Sequence, residues 1–327
     1  MADSSSTLSR LLSLLSDGGW HSGEEMGAML QVSRAAISKQ IKHVIDLGIE
    51  LESQKGVGYR AKAFELLDES RIREAVAMDG GDALSWLRVE HSIPSTNQAL
   101  LDALQSGQSI HRAACLAEKQ TSGRGRRGRQ WFSPFAKNVY LSLGWHFRGG
   151  VAEIEGLSLA VGVVVCQVLE QMGFAGATLK WPNDILAGNK KLGGVLIELG
   201  GDAISDCVVV LGVGLNVAMD AVDDSVDQPW ASLSDAGFNG GRNALAIELI
   251  SALVRLLSSY PNHGFGHYQH EWNHRSAYSG QFVTLSTPSS NNQGLMLGVG
   301  EQGQVLIEVD GEQQAFIGGE LSLRLQQ

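Results

Sequence analysis

The stretch GRGRRGRQWFSP, residues 123–134, decides between two kinds of α/β protein. Its first six residues satisfy G-x-G-x-x-G, the glycine fingerprint of a dinucleotide-binding turn. That fingerprint works when the glycines open a helix of several turns and an acidic residue follows about 20 positions on. Here Pro134 stands six residues after Gly128, and Arg148 falls near the acidic position. No Gly-Lys-Ser/Thr follows, so a Walker loop is excluded as well. What is left is a loop in which Arg124, Arg126, Arg127 and Arg129 are spaced by glycines. Glycine lets a backbone approach a ligand closely, and guanidinium groups grip phosphate or carboxylate oxygens in pairs. A solvated basic loop or a nucleic-acid patch is the plainer alternative.

Three further segments carry polar residues where a ligand needs them. In KWPNDIL, residues 180–186, Pro182 stiffens a turn and Asp184 suits a Mg²⁺ ion on a nucleotide triphosphate. An ordinary Asn-Asp turn is the competing reading. Lys190-Lys191-Leu192-Gly193-Gly194 then leads into the strand VLIEL, which places a lysine beside an open backbone. Ser95-Thr96-Asn97 precedes QALLDAL, with Thr96 or Asn97 as the expected helix cap, and a capped helix N-terminus also receives a carbonyl or an anion. In VVVLGVGLNV, residues 208–217, Gly212 and Gly214 interrupt an apolar strand, which predicts close approach of a ligand or another backbone.

The two ends of the chain have a different texture. Leu8, Leu11, Leu12 and Leu15 recur at helical spacing up to Gly18-Gly19. Ser22 and Glu25 form a capping box for a second helix, and Ser33 caps a third, RAAISKQIKHVIDL. The inward face of that third helix is expected to hold Ala36, Ile37, Ile41, Val44 and Ile45. A hairpin turning at Lys55-Gly56 follows, completing a winged helix-turn-helix pattern. Residues 1–62 hold seven acidic and seven basic residues, but 33–42 hold three basic and no acidic ones. That asymmetry is what phosphate contacts require. A small helical interaction domain is the bland alternative. From about residue 274, short strands separated by Gly, Asn and Asp-Gly turns predict a small β-barrel.

Composition limits the rest. A length of 327 residues predicts two or three domains, and 43% hydrophobic content supports a large core. A net charge of -10 confines any nucleic-acid contact to one local face. Three dispersed cysteines, Cys115, Cys166 and Cys207, argue for a reducing cytoplasm and against a disulfide scaffold. No apolar run reads as a membrane span. His263, His267, His270 and His274 fall on one stripe if that segment is helical, but Gly264 and Gly266 weaken a metal reading. No G-x-S-x-G supports a hydrolase.

Taken in order, SRAAISKQI, KGVGYR, STNQALL, GRGRRGRQWFSP, KWPNDIL, KLGGVLIEL, GVGLNV and GGELSLR resemble the bifunctional biotin protein ligases, the class that also represses the biotin operon. The resemblance runs almost end to end. Gly194 stands where alanine also occurs in the family, a difference that a small residue should tolerate. The resemblance implies an α+β multidomain fold: a winged helix-turn-helix over 1–64, a central mixed α/β ligase domain over 65–272 and an SH3-like β-barrel over 273–327. It implies that biotin reacts with ATP and Mg²⁺ to give biotinoyl-5′-AMP, which then acylates a lysine of the biotin carboxyl carrier protein of acetyl-CoA carboxylase. It also implies a ligand-promoted homodimer on operator DNA.

Residue roles follow motif by motif. Ser95, Thr96, Asn97, Gln120, Arg124, Gly125, Arg126 and Lys191 are implied biotin contacts, with Arg126 and Lys191 catalytic. Arg129, Trp131, Asn216 and Trp230 are implied on the nucleotide side, and Lys180, Asp184 and Arg324 at the triphosphate, with Asp184 the metal ligand. Ser33, Arg34, Ser38, Lys39, Lys42, Lys55 and Arg60 are the implied DNA contacts. Two alternatives stay open at this point: a ligand-sensing DNA-binding regulator without ligase activity, and a lipoate or octanoate ligase-like acyltransferase.

Overall fold

The computed structural model describes residues 4–79, 83–200, 207–220, 226, 228–286, 291–317 and 322–325. The first four residues of the terminal motif, 318–321, lie outside the described residues.

The N-terminal unit is built from α1 (Ser4–Leu15), α2 (Gly23–Leu30), α3 (Arg34–Asp46) and the hairpin β1 (Leu51–Gln54) and β2 (Gly58–Ala61). Both caps form as the sequence predicts. Glu25 N donates to Ser22 Oγ at 3.0 Å while the Ser22 backbone N–H donates back to Glu25 Oε2, and Ala36 N donates to Ser33 Oγ at 3.2 Å. Leu11, Leu12, Leu15, Met26, Ile37 and Val44 close a small core. The expected inner face of α3 needs one correction. Ile45 is 54% exposed, and Gln40 is buried in the row that contains Ile37, Ile41 and Val44. Residues 37, 40, 41 and 44 share one helical stripe, and position 45 has rotated past its edge.

A connector then passes from one core to the next. Phe64 packs on the N-terminal core and Leu67 belongs to the central one. Helix α4 (Glu69–Met78) follows, capped by Asp68. At the junction, the Arg242 guanidinium meets Glu118 at 2.8 Å, with the two side chains 4% and 1% exposed. Arg242 also donates to the carbonyls of Asn138 and Glu65, so the buried charge ties the connector to the sheet.

The central unit comprises β3 (Trp86–Glu90), α5 (Thr96–Gln105), β4 (Ala113–Ala117), β5 (Val139–Phe147), α6 (Leu157–Gln171), β6 (Ala177–Lys180), β7 (Asp184–Ala187), β8 (Lys190–Gly200), β9 (Cys207–Leu215), α7 (Arg242–His263) and α8 (Gly266–Arg275). Its seven strands lie in the order β3-β4-β5-β9-β8-β7-β6, with β3 and β4 parallel and the other pairs antiparallel. The period of two assigns the faces. Ala114, Leu116, Val209, Leu211 and Val213 join the large core with α6 and α7. Ala113, Cys115 and Val210 face α5 in a separate, smaller cluster. Gly212 and Gly214 therefore lie on the α5 face, where the polar segments collect.

Two stretches, Gly150–Gln171 and Arg242–His263, are long and apolar enough by composition to cross a membrane, contrary to the expectation from apolar runs. Both contribute to the core instead, and the first is broken by Gly156 in the left-handed region at φ 69°.

The C-terminal unit has β10 (Phe282–Ser286), β11 (Asn291–Val299), β12 (Val305–Val309), β13 (Glu312–Phe316) and β14 (Ser322–Leu325), in the antiparallel order β13-β12-β11-β10-β14. This is the SH3-like sheet; among the described residues no pair closes it into a barrel. Its inner residues Val283, Leu285, Met296 and Ile307 are continuous with the central core, and buried Trp181 donates from Nε1 to Gly303 O at 3.0 Å. Helix α8 runs across the expected boundary at 272/273.

Candidate active site

One cavity of about 420 Å³ opens on the α5 face of the central sheet. Its floor is a row of β8 and β9 in which Leu196 pairs with Gly212 and Gly194 with Gly214. The missing side chains make room for neighbours. A Cβ on Gly212 would lie 2.5 Å from Asn97 Oδ1, and one on Gly214 would lie 2.7 Å from Trp131 Cε2. The expectation of close approach holds, but the approaching groups are the side chains of two other pocket residues, not another backbone. A Cβ on Gly194 would meet nothing nearer than 3.5 Å, so alanine fits there. Gly212→Ala is accordingly expected to lower stability by about 1–3 kcal/mol through overpacking, while Gly194→Ala stays within about 0.5 kcal/mol. Thermal denaturation of the two variants checks the contrast; equal losses would contradict this packing.

One end of the cavity is neutral and hydrogen-bonding. The cap of α5 is Ser95, not the expected Thr96 or Asn97: Gln98 N donates to Ser95 Oγ at 3.5 Å, and Thr96 and Asn97 form the first turn of the helix. Thr96 N donates to Gln120 Oε1 at 2.9 Å, and Gln120 Nε2 donates to Ser133 Oγ at 3.0 Å. Asn97 is only 4% exposed and donates to Glu198 Oε2 at 2.7 Å. The arginine loop folds over this end as a small closed turn. Gly125 N donates to Arg129 O at 2.7 Å and Trp131 N to Gly123 O at 2.8 Å. Arg124 forms an ion pair with Glu198 at 2.9 Å, and Arg126 donates to Asn183 Oδ1 at 3.3 Å.

The cavity as a whole is cationic. Seven basic side chains line the cavity, Arg124, Arg126, Arg127, Arg129, Lys180, Lys191 and Arg324, against one acidic side chain, Asp184. Lys191 Nζ lies 2.8 Å from Asp184 Oδ1, and Lys180 Nζ lies 3.8 Å from Asp184 Oδ2. Burial pushes the Lys180 ammonium below its ordinary value; Asp184 opposes that shift, while Lys191, Arg324 and Arg129 add to it. Arg126 is lowered in the same way, first by burial, with Arg127 adding and Asp184 opposing. These groups carry more positive charge than the chain itself neutralises, which is the electrostatic signature of an anion site.

A second cavity of about 160 Å³ lies beyond Trp131. Arg129, Trp131 and Lys191 border both spaces, whereas Asn216 and Trp230 border only the smaller one. Asn216 spends its Nδ2 on the carbonyls of Lys191 and Ala231, and so holds the segment bearing Trp230. Trp230 bridges Lys191 through the backbone. Trp131 also lies under the Lys191 ammonium, 5.4 Å from ring centroid to nitrogen.

The structure thus gathers all eight residues implied for biotin around the main cavity, and Arg129, Trp131, Lys180, Asp184 and Arg324 with them. Arg324 arrives from the C-terminal sheet, where it pairs with Thr284 of β10. Ser142 and Glu198, which bond to pocket residues from behind, escaped the sequence reading; a lone acid inside the apolar strand VLIEL was the available signal. Among the described residues no three His, Cys, Asp or Glu side chains converge as a metal site. That holds for the histidine stripe, which Gly264 splits between α7 and α8. Asp184 stands as a single carboxylate, 2.8 Å from Lys191 Nζ and 3.8 Å from Lys180 Nζ.

The implied DNA contacts lie on the N-terminal unit, and none of them lines either cavity. Ser33, Arg34, Ser38, Lys39, Lys42 and Lys55 are exposed. Arg60 is held by Glu52 at 2.7 Å and stacks over Trp20 at 4.9 Å, so it reaches a phosphate only by exchanging partners.

Comparison with known proteins agrees with this layout. The Biotin/lipoate A/B protein ligase family matches residues 89–216, and the HTH domain family matches residues 7–60. The chain is 40% identical to the bifunctional ligase/repressor BirA of Salmonella typhimurium, with 96% of each chain covered. It is 32% identical to a biotin--[acetyl-CoA-carboxylase] ligase of Mycobacterium tuberculosis, over 75% of this chain and 91% of that one. A solved biotin protein ligase from Aquifex aeolicus, in complex with biotin and ATP, superposes with a TM-score of 0.65 at 26% identity, covering 74% of this chain and all of that one. With a cavity built on the ligase motifs and a helix-turn-helix ahead of it, the chain belongs to the biotin protein ligases, in their bifunctional ligase/repressor group.

Proposed function

We propose that the chain activates biotin with ATP to biotinoyl-5′-AMP and transfers the acyl group to a lysine of a biotin carboxyl carrier protein. The observation that carries this reading is the lining of the cavity: a neutral hydrogen-bonding wall at Thr96, Asn97 and Gln120, together with a cluster of cations. Such a cavity suits a ligand with an uncharged polar ring and a carboxylate that must meet a phosphate. The carboxylate of biotin attacks the α-phosphorus, and pyrophosphate leaves. Two anions repel in that step, so fixed positive charge lowers the barrier. Lys191 and Arg126 are assigned to the reacting oxygens, and Lys180, Arg129 and Arg324 to the phosphates. Trp131 and Trp230 are assigned to enclose the adenine at the smaller cavity. Mg²⁺ enters as part of the nucleotide substrate, with Asp184 as its one carboxylate contact from the cavity wall. Biotin-dependent release of pyrophosphate from ATP tests this assignment; a release indifferent to biotin would overturn it.

The same chain is assigned the role of repressor, with biotinoyl-5′-AMP as corepressor. Domain limits of 1–64, 65–272 and 273–327 fit these roles, with α8 carrying the last boundary a few residues further. A cytoplasmic location fits three free cysteines, all of them buried. Palindromic operators are read by two-fold dimers, so an adenylate that stabilises a homodimer couples biotin supply to DNA binding. The five basic residues among the implied contacts, Arg34, Lys39, Lys42, Lys55 and Arg60, give a log-log salt slope of about -9 for the dimer as an upper bound. If Arg60 stays with Glu52, four contacts remain and the slope is expected near about -7. Operator affinity measured across a salt series distinguishes the two values. A slope shallower than about -3 would contradict the assigned face.

A further inference from the structure

Glu198 and Ser142 do not line the cavity, yet both bond to side chains that do. Together with Asn97 and Thr96 they form a chain of hydrogen bonds behind the neutral wall, and one end of that chain fixes its direction. A carboxylate offers only acceptors, so Glu198 obliges Asn97 to turn its Nδ2 towards Oε2, at 2.7 Å. The Arg124 guanidinium holds the same carboxylate oxygen from the other side at 2.9 Å. Asn97 Oδ1 then faces Ser142 Oγ at 2.5 Å. An amide oxygen cannot donate, so Ser142 spends its single proton there. Ser142 Oγ is left as an acceptor for the Thr96 hydroxyl, 2.7 Å away. The competing acceptor, Gln120 Oε1, is farther from that hydroxyl, at 3.3 Å, and already takes the Thr96 N–H at 2.9 Å. With its proton turned inward, Thr96 Oγ1 presents lone pairs to the cavity. A reversed Asn97 amide would set two acceptors against each other at Glu198 and undo this order.

We propose that Glu198 is a positioning residue for biotin: it sets the Asn97 amide and, through Ser142, makes the Thr96 hydroxyl an acceptor for a urea N–H of the ligand. Glu198 lines neither cavity, so its effect is expected through Asn97 and Thr96 on biotin binding alone. The inference rests on the biotin reading above, and the experiment separates the two. Steady-state kinetics of pyrophosphate release are measured for the full chain and for Glu198→Ala, Glu198→Gln, Ser142→Ala and the double variant Glu198→Ala/Ser142→Ala.

Breaking one link of an ordered chain should raise the KM for biotin by about tenfold, the worth of one well-aligned hydrogen bond. The KM for ATP and kcat should stay within about threefold. Glu198→Gln keeps an acceptor oxygen for Asn97 and should recover most of the loss. Because both residues act through one chain, the double variant should be no worse than the worse single one. The proposal is overturned by an unchanged biotin KM, by a loss that falls on kcat or on ATP, by a glutamine variant no better than alanine, or by additive singles. Ser142→Ala removes only a hydroxyl and keeps the test alive if Glu198→Ala does not fold. A natural chain that releases no pyrophosphate with biotin sinks the ligase reading; a natural chain that does, with indifferent variants, sinks only the role of Glu198.

Discussion

Lys191→Ala is expected to slow formation of the biotinyl adenylate by about 10²-fold, equivalent to about 3 kcal/mol of lost transition-state stabilisation. The ammonium is placed for that effect. It stands on β8 with a side chain 17% exposed, 2.8 Å from Asp184 and against the face of Trp131. Low exposure removes competing water, so its field acts at close to full strength on the oxygens where charge develops. Asp184 balances Lys191, a role that a reacting carboxylate and phosphate would take over. Lys191→Arg should recover only part of the rate, because a planar fork cannot occupy the space of a compact ammonium between Asp184 and Trp131. Single-turnover adenylation measures both variants. An alanine variant as fast as the natural chain would remove Lys191 from the mechanism.

Removing residues 1–62 should abolish operator binding and leave adenylation in place. All seven implied DNA contacts lie within the deleted part, and none of the residues lining the two cavities does. The cut is not silent for the remainder, however. Phe135 and Ala136 pack in the N-terminal core that the deletion removes. Lys119 Nζ donates to the carbonyls of Leu47 and Asp46 at the end of α3, at 2.9 and 3.1 Å. Its chain neighbour Gln120 forms part of the pocket wall, so the deletion should also weaken biotin binding by a few-fold. Operator binding is read by gel shift and adenylation by pyrophosphate release. Complete loss of adenylation in a folded truncated chain would contradict the modular account.

Legibility in the sequence followed the range of the interaction. Local features were plain: the Ser22–Glu25 box, the Ser33 cap and the helical stripe of leucines each involve residues three or four apart. The arginine loop and the lysine-glycine segment were recognisable as ligand-binding because glycine and clustered like charge serve few structural ends. What stayed hidden depends on strand register. Ser142 bonds to Asn97 across 45 residues and Asn97 to Glu198 across 101, and no periodicity reports which positions of distant strands share a face. Gly212 and Gly214 marked the place of the pocket, but only the order β5-β9-β8 shows that Asn97 and Trp131 fill the space. Ile45 failed as a core residue for a smaller reason: a helical stripe has edges, and hydrophobicity alone does not place them.

The most direct test of the whole account is transfer of labelled biotin to a biotin carboxyl carrier domain, with lipoate and octanoate in parallel, each with and without ATP. The neutral wall and the cationic lining together predict that biotin alone is transferred, that ATP is required, and that the label resides on a lysine of the carrier. Transfer of lipoate or octanoate in place of biotin, or no ATP-dependent transfer at all from a folded chain, would contradict it.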